Sequence, residues 1–206
     1  MTQEINVESA FPTPIYCVDG YDFDKDNEKK LIDESMLYCH QNAGGNFTST
    51  NHYVLENDYM HDIKSYILYH VKNYGYNVLK LPKTIEFFIT QSWVNMNHSE
   101  THHHQHRHSN SFFSGTYYLK GLTPIVFSKT REVFQNFEFD HDELNEFNSK
   151  EFHVDVKPGR LILFPSTLNH QVPINTEKDY RLSLSFNVFF KGNLKPKTDN
   201  NTKLRI

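Results

Sequence analysis

Between Arg181 and Phe190 the residues alternate so strictly in character that an extended backbone is the natural way to accommodate them. Consecutive strand side chains point to opposite sides. Arg181, Ser183, Ser185 and Asn187 therefore share one face, and Leu182, Leu184, Phe186 and Val188 share the other. Such a strand needs a polar environment on one side and an apolar one on the other. A barrel with a polar lumen, covered outside by helices, supplies both.

The segments around it agree. Phe11–Tyr16 reads as extended, because each proline pushes its predecessor toward the β region. Asp26–His40 reads as a helix with Leu31, Ile32, Ser35, Met36 and Cys39 on one stripe, and Asp58–Tyr74 as a second helix, capped by Asp58 and stopped by Gly75. After Pro82 the texture turns to strands: Ile85–Asn97, Phe113–Leu119, Pro124–Phe127, Phe152–Val156, Leu161–Phe164 and Arg181–Phe190. Lys157-Pro158-Gly159-Arg160 fits a type II turn. Helices first and strands afterwards predict an α+β chain: a jelly-roll barrel backed by N-terminal helices, one domain over residues 1–190, with a polar, fraying tail over 191–206.

Composition narrows the function classes. The formal net charge of −4, with both signs interspersed, gives no electrostatic case for nucleic acid or an anionic membrane. The first residues carry no signal-peptide pattern and no stretch has the length of a membrane span. Two cysteines make no disulfide framework, so a cytoplasmic location is expected. Histidine stands out: of 13, six crowd between His98 and His108.

His106 and His108 would share a face of a strand, and a distant third histidine, His170, could close three sides of a metal site. A histidine-rich surface loop that binds metal adventitiously explains His106 and His108 as well, and His102 and His104 share their face by period. Arg181 with Ser183 can hold an organic carboxylate. Asn95 either reaches a ligand in the lumen or serves the strands around it. Tyr117 and Tyr118 point to opposite faces, so at most one lines a site; packing is the default for both, and for Trp93. Arg160, after its turn, reads as solvated. Arg131–Phe152, acidic and rich in phenylalanine, is either a lid or a protruding hairpin.

Residues His106 to Tyr118 resemble the HxHxxSxxSGxYY signature of a small branch of the 2-oxoglutarate/Fe(II)-dependent oxygenases, relatives of prolyl hydroxylases common in phages and marine bacteria. The resemblance extends through Ser92–Asn95, Pro158–Pro165, His170 and Arg181–Asn187, and the opening Phe11–Tyr16 is similar too. It implies a double-stranded β-helix (jelly-roll) fold and the cofactors Fe(II) and 2-oxoglutarate. It also implies molecular oxygen as co-substrate and the hydroxylation of an unidentified substrate, with release of succinate and CO2. It further implies that His106, His108 and His170 are metal ligands with catalytic roles, and that Arg181 and Ser183 bind the distal carboxylate of 2-oxoglutarate. A phage-encoded member would work in the host cytoplasm. The chain departs from the wider superfamily at His108, where an Asp or Glu is usual; imidazole also suits zinc and nickel.

Two rivals stand beside this reading. A cupin-type dioxygenase or isomerase would use Gly159, Pro165 and His170, but lacks its expected glutamate near Phe112 and Phe113 and gives Arg181 no role. A non-enzymatic β-barrel binding module would leave the histidine tract as an adventitious metal binder.

Overall fold

The computed structural model describes residues 4–129, 140–194 and the backbone of 204–205. Its elements in chain order are β1 (Tyr16–Val18), α1 (Lys25–Leu37), β2 (Cys39–Gln41), β3 (Phe47–Ser49), α2 (His61–Asn73), β4 (Ile85–Asn97), β5 (His103–His106), β6 (Phe113–Lys120), β7 (Ile125–Ser128), β8 (Glu151–Val154), β9 (Leu161–Pro165), β10 (Asn169–Val172), β11 (Arg181–Leu194) and β12 (Leu204–Arg205). The strands form two antiparallel sheets. The larger runs β1-β9-β6-β11-β4-β3-β2, with β12 on the end of β11, and the smaller runs β5-β10-β7-β8. Among the described residues no strand pairing closes either sheet on itself.

The alternation of β11 organises the larger sheet. Leu182, Leu184, Phe186 and Val188 pack with Val94, Met96, Phe113, Tyr117, Leu161 and Leu163 against Leu31 of α1 and Ile63, Ile67 and Val71 of α2, which forms the main core. The opposite face carries Ile162, Phe164 and Tyr118 against Ile125 and Phe127 of the smaller sheet, a second and smaller apolar cluster. The remainder of that face is polar, and its residues line up in rows across the strands. Thr48, Asn95, Ser183 and Tyr118 are successive register partners, as are Trp93, Ser185 and Thr116.

Several local expectations are corrected. Phe11 is not extended: it sits at φ 59, fully exposed, and β1 begins only at Tyr16. The first helix ends at Leu37, Cys39 starts a strand, and the cap is Asp24, whose carboxylate accepts from the Asn27 amide at 2.9 Å. Asp58 does not cap the second helix; it opens a single 3-10 turn, and α2 begins at His61. Gly75 does not end it either, for the chain continues as a π-turn over Tyr74–Val78. Glycine is required there by packing, since a Cβ would lie 2.5 Å from the Phe87 ring. The type II turn is present, with Gly159 at φ 81 and the Arg160 amide on the Lys157 carbonyl. Arg160 is not simply solvated: its guanidinium grips both carboxylate oxygens of Asp19, at 2.6 and 2.9 Å. Residues 191–194, read as tail, continue β11: Lys191 and Gly192 pair with β4, and Asn193 and Leu194 with β12. Residues 130–139 of the lid-or-hairpin segment lie outside the described residues, as do 195–203. Among the described residues no helix is long and apolar enough to cross a membrane.

Candidate metal centre

His106, His108 and His170 reach one another from three different backbone settings. His106 ends β5 and is the register partner of His170 on β10. His108 is not on that strand, as the sequence pattern suggested; it lies two residues beyond, where its amide donates to the Ser166 carbonyl at 3.0 Å. Their ring centroids are 4.4 Å (His106–His170), 5.1 Å (His108–His170) and 5.2 Å (His106–His108) apart. One ligating nitrogen from each lies within 4.8 Å of the other two.

Each ring is held by an oxygen at its Nδ1: the His104 carbonyl for His106 (2.8 Å), the Leu168 carbonyl for His170 (3.1 Å) and the Asn187 Oδ1 for His108 (2.6 Å). A carbonyl oxygen only accepts, so Nδ1 carries the proton and Nε2 the lone pair, which is how ligating histidines are commonly oriented. Burial drives all three toward the neutral form. It lowers the pKa of His106, and takes His108 to about 4 and His170 to about 3. Neutral rings, each with a free lone pair, are what a divalent ion requires.

The serines of the motif acquire a physical role here. Ser114 Oγ lies 2.8 Å from His108 Nδ1 and 2.8 Å from Ser166 Oγ, and Ser166 in turn reaches Ser111 at 2.7 Å. This hydroxyl chain, with Asn187, fixes the one histidine that has no strand to hold it. Gly115 is required by packing: a Cβ there would overlap Phe186 and Leu163.

From the histidines a narrow cavity, lined by polar and apolar side chains, runs between the sheets to Arg181. Arg181 is 2 % exposed, donates from Nε to the Thr123 carbonyl at 3.0 Å and from a terminal nitrogen to Ser183 Oγ at 3.4 Å. No carboxylate of the described residues pairs with it. Tyr118 lies against the guanidinium, and its buried hydroxyl has no hydrogen-bond partner among the described residues. The same is true of the Asn97 amide, the register partner of Arg181. Asn95 lines the cavity too, but its amide donates to Ser185 Oγ and accepts from Thr48 Oγ1.

Tyr118, Thr116, Ser185 and His103 line the cavity without having been singled out as site residues. Tyr118 was recoverable, since it follows Tyr117 and one of the pair had to face inward; Tyr117 turns away to donate to the Tyr21 carbonyl. Trp93, read as a packing residue, is half-buried at the cavity with its ring 5.5 Å from that of His108.

Residues 91–187, which contain every site residue named in the sequence, match the family model described as "Putative 2OG-Fe(II) oxygenase". Over that stretch the chain is similar to 2-oxoglutarate/Fe(II) oxygenases. Solved structures of such oxygenases share the fold. An oxidoreductase of the 2OG-Fe(II) oxygenase family from Burkholderia pseudomallei superposes with a TM-score of 0.56 at 11% identity, covering 84% of this chain and 83% of its own. A Pseudomonas putida prolyl-4-hydroxylase gives 0.53 at 12%, covering 85% and 92%. HygX from Streptomyces hygroscopicus, solved with nickel, 2-oxoglutarate and hygromycin B, gives 0.54 at 10%, covering 85% and 82%. No curated protein sequence matches the chain.

Proposed function

We propose that this oxygenase is an Fe(II)- and 2-oxoglutarate-dependent dioxygenase, with His106, His108 and His170 as metal ligands and Arg181, Ser183 and Tyr118 as the seat of the distal carboxylate. The observation that carries the reading is Arg181. Among the described residues no carboxylate forms an ion pair with this buried cation: Glu177 acts on it only from a distance and is engaged by Thr123 and Leu122. A buried charge without a direct partner is costly. The unpartnered Tyr118 hydroxyl next to it is a second donor awaiting an acceptor. A dicarboxylate reaching from the histidines to Arg181 would satisfy both.

Iron bound at the triad would supply the redox chemistry that couples decarboxylation of 2-oxoglutarate to oxidation of a second substrate: one atom of O2 ends in succinate and the other in the hydroxylated product, with CO2 released. The chain's own work is positional. Ser114 and Asn187 hold His108, and the Leu168 and His104 carbonyls hold His170 and His106. Arg181 presents a planar donor fork that two carboxylate oxygens can meet together. Ile125 and Val172 wall the cavity with apolar surface, which limits water around that charge pair. Asn95 stays with Ser185 and Thr48 and shapes the wall between them. The two sheets, facing one another across this cavity, are read as the halves of a double-stranded β-helix.

The HygX complex with 2-oxoglutarate and the P. putida prolyl-4-hydroxylase support the cofactor and reaction class. The cupin reading finds no support in Arg181, whose burial it leaves without purpose. The test is aerobic incubation of Fe(II)-loaded protein with 2-oxoglutarate. Slow succinate release, lost in His170→Gln and in Arg181→Ala, is expected; metal-independent release, or none at any iron loading, contradicts the proposal.

A further inference from the structure

The registers of β5 and β10 do not match along their length. His106 pairs with His170, but His103 pairs with Val172, so β5 spends three steps where β10 spends two. The extra residue is a bulge, and a bulge re-aims side chains. Without it His103 and His106 would point to opposite faces. With it their rings stack 4.6 Å apart at 24°, and the His104 ring lies 5.2 Å from His103 and 5.4 Å from His106. One ligating nitrogen from each of the three lies within 4.8 Å of the others.

We propose that His103, His104 and His106 form a second, outer site for a divalent transition ion of the zinc, nickel or copper kind, distinct from the His106, His108 and His170 site and exclusive of it. All three donors are imidazoles, the ligand type those ions favour. His104 is exposed, while His103 is half-buried and also lines the inner cavity, so the group spans from that cavity to the surface. The exclusivity rests on the proposed inner triad. Nδ1 of His106 is committed to the His104 carbonyl, which leaves a single lone pair to share between the two positions. An ion in the outer site therefore removes one of the three inner ligands. At excess zinc the outer group acts as a block on the inner one.

Equilibrium dialysis of the whole chain against Zn(II), with folding checked by circular dichroism, tests this without reference to catalysis. Wild type should bind one zinc, not two. His170→Gln and His108→Gln break only the inner triad and should still bind one. His104→Gln breaks only the outer triad and should also bind one, whereas His104→Gln/His170→Gln and His106→Gln should bind none. Two zinc ions on wild type would overturn exclusivity. Zinc lost from both folded inner-triad variants but kept by His104→Gln would overturn the outer site and leave the inner reading intact. The reverse pattern would remove the inner reading and keep the outer site.

Discussion

The Arg181 guanidinium lies over the Tyr118 ring, 4.9 Å from its centroid, while the buried hydroxyl of that ring, with Arg181 and Thr116 nearby, is within hydrogen-bond distance of no partner among the described residues. Burial pushes the Tyr118 pKa up to about 12, so the hydroxyl stays a donor. An unsatisfied buried hydroxyl costs stability, and a satisfied one contributes to binding. Tyr118→Phe should therefore leave the ligand-free protein as stable as wild type or more so, and weaken 2-oxoglutarate binding by about 1 kcal/mol, roughly fivefold. Denaturant unfolding and calorimetry give the two numbers; a destabilised variant with unchanged affinity contradicts the assignment.

Arg181→Ala should weaken 2-oxoglutarate binding by roughly 2–5 kcal/mol, on the order of 30-fold or more, with metal still bound. Arg181→Lys should rescue it only in part, because an ammonium cannot make two parallel hydrogen bonds. Ser183→Ala should lose about 1 kcal/mol. Calorimetry on metal-loaded protein checks all three, and equal affinities across the series would remove Arg181 from the site.

Asn187 is placed by the account as the residue that aims His108. Asn187→Ala should lower metal affinity at the inner triad by about 10- to 100-fold, the usual cost of losing such an orienting partner. Asn187→Asp, which keeps the accepting oxygen, should recover most of it. Competition with a chelator of known affinity measures both. Equal loss in the two variants would point to a packing effect.

The relation of sequence to structure is uneven in an instructive way. The alternation in β11 was legible because each of its faces meets one environment over many residues, and Arg181 and Ser183 came with it. His170 was legible through its motif. His103 was not, because one extra residue in β5 inverts the side-chain period, and a bulge leaves no mark in composition. The short strands β2 and β3 were missed for a related reason: three residues are too few to show a period. Gly75 was misread as a helix stop when its cause is the Phe87 ring packed against it, a contact made by the distant strand β4.

Because the inner site has three imidazoles and no carboxylate, His108→Asp should restore the superfamily's usual donor set. The variant is expected to retain Fe(II), held more tightly by the added charge, and to lose the hydrogen bond to Asn187. A folded His108→Asp protein that binds no iron in anaerobic dialysis would show that His108 is not a ligand.

Burial holds His103 and His170 at about 3 and His108 at about 4, and also lowers His106, whereas an unfolded histidine titrates near about 6.5. Between those values the unfolded chain binds more protons than the folded one, so stability of the metal-free protein falls as pH drops from about 6.5 toward 4. Below the folded values this contribution is fully lost. The Asp19 carboxyl, lowered by Arg160, adds its own loss only below its ordinary range and does not confuse the window. Denaturant midpoints at pH 7 and pH 4.5 should differ, and the difference should shrink in His170→Gln; a flat profile contradicts the burial of neutral histidines.

The central claim is that one cavity joins a histidine-bound iron to a carboxylate held by Arg181. Anaerobic titration of the Fe(II)-loaded protein with 2-oxoglutarate addresses it most directly. The account predicts a weak visible charge-transfer band that saturates at one equivalent, needs His106, His108 and His170, and shifts to higher 2-oxoglutarate concentration in Arg181→Ala. Iron-loaded wild type that shows no band and takes up no 2-oxoglutarate would contradict it.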